Sequence, residues 1–241
     1  MLSMTSMKRM RKIKIKIYIF LYCCLLSLPC VLFAQQQKTA FISLEEYLQT
    51  QKLVNVNALD SSIRVDLKYA TTDNFTKTIL YDSLTNIYLH PFAAKKLVAA
   101  QKYLKTLHPD YSLLVYDAVR PLSVQRKMYR VVQNTKYAAY VAKPSRTGLH
   151  NYGMAVDLTI CNKKGVPLDM GTPFDFFGGA AGINKEAELV QRGVLSKQQV
   201  ANRELLRKVM RHAGFLTIRG EWWHFNALHL IEARKLYKVI E

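Results

Sequence analysis

One aspartate constrains this chain more than any other residue. Asp157 sits inside the apolar run Met154–Cys161, with Val156 and Leu158 on either side. The run reads as a β-strand. A carboxylate in the middle of such a strand is costly to bury unless it meets a cation, backbone donors or a metal ion. Whatever the fold, it must bring partners to that point.

The surrounding elements are legible. Ile63–Tyr69 alternates and predicts a strand, Pro91–Leu107 a helix, and Tyr111–Tyr116 a second strand that Pro121 should break. Leu122–Val141 predicts a helix and Lys143–Gly153 a loop. After Met154–Cys161, Asn162–Gly165 is a turn, with a return strand expected from Val166. Ser196 and Gln199 form a capping-box pair for a helix running to Ala213, with Gly214 as its stop. Ala201, Leu205, Val209 and Ala213 should face the core of that helix. Phe215–Ile218 and Trp222–Phe225 are the last expected strands. Helices and strands mix without a regular βαβ beat. The expected class is therefore α+β, with a mainly antiparallel sheet flanked by helices.

Three segments carry chemistry. His150 lies in a glycine-bearing loop seven residues before Asp157, and Gly153 permits a tight path between loop and strand. By itself Asp157 is better explained by a neighbouring arginine or backbone donors than by a metal. Glu221-Trp222-Trp223-His224-Phe225 is harder to explain structurally, because both polar groups sit among aromatics and need partners once buried. A catalytic zinc site uses three protein ligands, an open position and a nearby carboxylate that is not a ligand. His150, Asp157 and His224 supply the first set and Glu221 the last. On a flat strand, residues 221 and 224 would point to opposite faces; a turn or bulge at Gly220 would resolve this. Arg120, in Asp117-Ala118-Val119-Arg120-Pro121, reads either as a surface ion pair or as an oxyanion stabiliser.

Together, H-x-x-G-x-x-x-D, E-W-W-H-F and the upstream D-A-V-R-P resemble the VanX-like zinc D-alanyl-D-alanine dipeptidases, which have a Hedgehog/DD-peptidase-like α+β fold. The resemblance spans about Val65 to Phe225. It implies one zinc ion on His150, Asp157 and His224, with Glu221 as proton acceptor and donor. It implies that Arg120 stabilises the tetrahedral intermediate. Met170-Gly171-Thr172-Pro173-Phe174-Asp175 resembles the stretch whose aspartate binds the amine of a small D-Ala-D-Ala substrate, which makes Asp175 the amine anchor. One position departs: the family serine two residues before the first zinc histidine is Gly148 here. That serine helps to bind the substrate carboxylate; Gly148 offers only its N–H, with Ser145 and Thr147 close by.

The first residues stand apart. Lys8, Arg9, Arg11, Lys12, Lys14 and Lys16 precede an apolar run from Ile17 to Ala34. This is the order of a secretory signal peptide, with Leu32-Phe33-Ala34 as the cleavage site and residues 35–241 as one domain. An uncleaved anchor is the competing reading. Export to the periplasm or outside the cell is expected. Six of the net charge of +18 lie in this segment, leaving +12 on a Lys-rich solvated surface, with no nucleic-acid partner expected. Cys161 would be the sole remaining cysteine, so no internal disulfide is available and the core must carry stability. Two rival functions remain: a zinc D,D-carboxypeptidase or endopeptidase acting on peptidoglycan stem peptides, and a binding module that keeps its zinc unused.

Overall fold

The computed structural model describes residues 42–241. The expected signal peptide and its cleavage site lie outside the described residues. Among the described residues no helix is long and apolar enough to cross a membrane.

Among the described residues, seven α-helices and seven strands follow in the order α1 (Leu44–Thr50), β1 (Val54–Asn55), α2 (Val56–Leu59), β2 (Arg64–Val65), β3 (Tyr88–Leu89), α3 (Pro91–Leu107), β4 (Ser112–Asp117), α4 (Leu122–Val132), β5 (Ala155–Cys161), α5 (Glu186–Gln191), α6 (Lys197–His212), β6 (Leu216–Thr217), β7 (His224–Asn226) and α7 (Leu230–Leu236). The class is α+β. The main sheet runs β2-β4-β5-β7-β6, antiparallel except for the β2–β4 pair. β1 and β3 form a separate antiparallel pair.

Local chemistry fixes the ends of the long helices. Pro91 occupies the first turn of α3, where its missing N–H costs nothing. Ser196 and Gln199 cap α6 reciprocally, and Gly214 follows it at φ +81°. α3 packs against α6 and β4, joining Leu97, Leu104, Leu113, Val115, Ile160, Leu206 and Phe225 in the main core. A second cluster gathers Leu48, Tyr69, Tyr81, Val119, Met128 and Ile240. Ile240 bridges two distant segments, donating to the Asn151 carbonyl and accepting from the Leu122 N–H, both at 2.8 Å.

Several expectations need correction. Only Arg64–Val65 of the expected Ile63–Tyr69 strand pairs; Lys68–Ala70 turns into a 3₁₀ helix. The helix expected over Leu122–Val141 stops at Val132, and a 3₁₀ turn covers Lys136–Ala139. The return after Asn162–Gly165 is a single bridge, Cys161 to Pro167. On α6, Val209 is buried and Leu205 and Ala213 pack against the core as expected, but Ala201 is exposed, and Arg203, Leu206, Arg207 and Met210 complete the buried face. Its two arginines are buried because Glu186 lies between them.

Candidate metal centre

Sheet register brings the polar residues together. β5 is buried along its whole length. Asp157 is paired with His224 on one neighbour and, past an irregularity between Val115 and Asp117, with Asp117 on the other. His150 comes from the 3₁₀ turn over Leu149–Tyr152 that precedes β5. Gly153 ends that turn at φ +63°, and a Cβ there would sit 2.9 Å from the His90 nitrogen. Only glycine fits both the dihedral and the gap.

His150, Asp157 and His224 converge, with one donor atom from each lying within 4.8 Å of the others. Asp157 reaches His224 Nδ1 at 2.9 Å and His150 Nε2 at 3.4 Å. The outer nitrogens have their own acceptors. His150 Nδ1 donates to the Ala118 carbonyl at 2.6 Å, and His224 Nε2 donates to Asn226 Oδ1 at 2.8 Å. This leaves His150 Nε2 and His224 Nδ1 as lone pairs facing each other 3.2 Å apart. Two imidazole lone pairs and a carboxylate aimed at one point form an arrangement that a cation satisfies. Two nitrogens and an oxygen suit zinc. Burial would raise the Asp157 pKa, but the two histidines hold it well below the usual aspartate range. Burial would lower that of His224, and Asp157 more than compensates.

The other expected residues line the same cavity of about 320 Å³: Arg120, Asp175 and Glu221, beside Tyr69 and Gly148. Glu221 precedes β7 in a bent segment, so the alternation of a flat strand does not apply to it. Gly220 has no left-handed φ, and the bend continues through Trp222 and Trp223. Burial raises the Glu221 pKa.

Arg120 is no surface ion pair. Its Nε and Nη2 both donate to Asp117 Oδ2, its Nη1 donates to Gln125 Oε1 at 3.0 Å, and Nη2 lies 3.9 Å from Asp157. Three of five N–H groups are thus engaged, and two remain. Asp175 adopts φ +58°, uncommon for a residue with a side chain. Tyr69 donates to its carboxylate at 2.9 Å. Burial pushes its pKa well up, and the Asp157 charge adds to the rise. At Gly148 the main-chain N–H is committed to Asn151 Oδ1 at 2.9 Å, so it is not a free donor. Thr147 Oγ1 is within 3.2 Å of the Tyr152 hydroxyl, and Ser145 is exposed.

The sequence profile for D-ala-D-ala dipeptidase, peptidase family M15, matches residues 49–240. This chain belongs to that family. Among curated relatives named D-alanyl-D-alanine dipeptidase, that of Escherichia coli is 32% identical over 177 residues, covering 73% of this chain and 85% of the relative. That of Enterococcus faecalis is 30% identical over 186 residues, covering 69% and 86%. The chain is thus a peptidase of the dipeptidase family, and its His150, Asp157 and His224 form a group able to hold a metal ion.

Around this dipeptidase-family site the structure adds residues that sequence reasoning passes over. Asp117 is fully buried and accepts from both Tyr81 and Arg120. Asn226 holds the outer nitrogen of His224. A strand places residues two apart on one face, so Asn226 two positions after His224 is the signal that could have found it.

Proposed function

We propose that this protein hydrolyses the D-alanyl-D-alanine dipeptide to free D-alanine at a single zinc site held by His150, Asp157 and His224. The observation that carries the reading is convergence: three metal donors, an unpaired carboxyl, an arginine with spare donors and a second carboxylate line one cavity of about 320 Å³. Zinc held there would act as a Lewis acid and bring a water pKa to about 7.

The side chains divide the remaining work. Asp175 binds the substrate ammonium, a charge that offsets the cost of its own ionisation in a desolvated setting. This anchor fixes the distance from the free amine to the scissile bond and so favours dipeptides over long chains. Glu221 takes a proton from the attacking water as the water oxygen bonds to the carbonyl carbon, then delivers it to the departing nitrogen as the C–N bond breaks. Arg120 lines the cavity with two N–H groups uncommitted, and these serve as donors to the developing oxyanion. With the Gly148 N–H committed to Asn151, that position contributes space and no hydrogen bond to the substrate.

Residues 1–34 are proposed as an export signal, which would place the enzyme where wall-derived dipeptide is recycled. The intact mass of the protein recovered from cells tests this, with a start at Gln35 as the supporting result.

Amine release from D-Ala-D-Ala, with and without zinc and a chelator and beside L-Ala-L-Ala, tests the activity. Zinc-dependent release from the D,D substrate alone supports it. Cleavage of a peptidoglycan stem peptide with the free dipeptide left intact would replace it with the carboxypeptidase reading. Zinc binding without hydrolysis of either would leave the binding module.

A further inference from the structure

The core face of α6 carries an unexpected group. Arg203 is fully buried at a position where a leucine would complete the apolar pattern. Burying a guanidinium is costly unless its donors are all used. Its Nη1 lies 3.4 Å from Glu186, but that carboxylate is already held by Arg207 through two bonds of 2.9 and 2.7 Å. The shorter bonds of Arg203 go elsewhere: Nε to the Met170 carbonyl at 2.7 Å and Nη2 to the Ala180 carbonyl at 3.0 Å.

These two carbonyls bracket Asp175, five residues from each. The segment between them has little regular structure before Gly179. It holds Asp175 in a left-handed conformation that costs energy unless the surroundings impose it. A second tether acts from the same side. The Trp222 indole donates to Thr172 Oγ1 at 2.8 Å, and the Arg203 guanidinium lies over the Trp222 ring at 5.9 Å. Arg203 therefore touches both ends of the segment that carries Asp175 and the neighbour of Glu221.

We propose that Arg203 is a positioning residue for substrate binding: its planar fork ties Met170 to Ala180 and so sets where Asp175 meets the substrate ammonium. The proposal rests on the reading of Asp175 as the amine anchor. Lysine cannot replace the fork, because one ammonium point charge does not hold two carbonyls in a fixed plane.

The test is steady-state kinetics on D-Ala-D-Ala for wild type, Asp175→Asn, Arg203→Lys and the double variant, with zinc content measured on each. Each single change is expected to raise KM by about tenfold, with kcat changed by less than about threefold and zinc unchanged. The double variant should be no worse than Asp175→Asn, because Arg203 acts through that residue. An unchanged KM for Arg203→Lys, or effects that multiply, would overturn the positioning role while leaving the anchor intact. An unchanged KM for Asp175→Asn would remove the anchor itself and the positioning role with it. If Arg203→Lys fails to fold, Arg203→Gln carries the test: its neutral amide leaves no buried charge and cannot span both the Met170 and Ala180 carbonyls, so a KM rise that vanishes in the Asp175→Asn background supports the proposal and no rise overturns it.

Discussion

Asp117 and Asp157 are cross-strand partners on β4 and β5, and the Arg120 guanidinium reaches both carboxylates. Like charges in direct register are unfavourable, so the arginine belongs to the sheet as much as to the cavity. Burial alone would lower the Arg120 pKa; Asp117, with others, holds it firmly protonated. Asp117→Ala leaves that cation without its main partner. It is expected to cost about 3–5 kcal/mol of stability in denaturant unfolding. Arg120→Lys keeps the charge and loses the fork, and kcat should fall by about 10²–10³. A kcat within twofold of wild type would rule out a role for Arg120 at the oxyanion.

Glu221→Gln removes the proposed proton acceptor and leaves His150, Asp157 and His224 alone. Zinc content by elemental analysis should match wild type, while kcat drops by about 10²–10⁴. In the wild type, the raised pKa of Glu221 shifts the pH at which it can act as a base. The acid limb of kcat/KM is expected above the ordinary glutamate value of about 4.3, and a limb at or below it would contradict the assignment.

Asn226 determines which nitrogen of His224 is free. Asn226→Ala should weaken zinc binding by about 10–100-fold, read by competition with a chromophoric chelator. Asn226→Asp, which keeps an acceptor at that position, should retain most of the affinity. Equal losses in both variants would show that the tautomer is set elsewhere.

Asp175 predicts a conflict between stability and activity. Its carboxyl holds a proton more tightly in the folded chain than in the unfolded one. Its contribution is therefore intact below the ordinary aspartate pKa of about 3.9 and lost as the pH rises. Asparagine cannot ionise, tolerates the left-handed conformation and still accepts from Tyr69. Asp175→Asn should melt above wild type at pH 7, with the gap closing toward pH 4. A lower melting temperature at pH 7 would mean that the ionised carboxylate is paired more strongly than its surroundings suggest.

Asp157 and His224 are legible in sequence because polar residues inside apolar strands must be explained by something, and Glu221 because it stands among aromatics three residues before His224. α3 is legible to its ends because Pro91 and the Ala-Leu pattern agree with its packing. What escapes is whatever depends on non-local partners. Arg203 and Arg207 look like solvated positions until Glu186 arrives from another helix. The strand reading of Ile63–Tyr69 fails because just its first residues find an edge on β4, while Tyr69 is drawn toward Asp175 and Tyr81. α4 stops short of Val141, and here a local signal is there to read: Thr135 accepts from the Tyr137 N–H and caps the following 3₁₀ turn.

The Ile240 bridge has a practical side. Through one residue's amide and carbonyl, the backbone beside His150 and the backbone beside Arg120 are tied to the same point. Anyone preparing this protein for crystallisation or assay should leave that point untouched: strain introduced at Ile240 would pull on the backbone near both His150 and Arg120 at once.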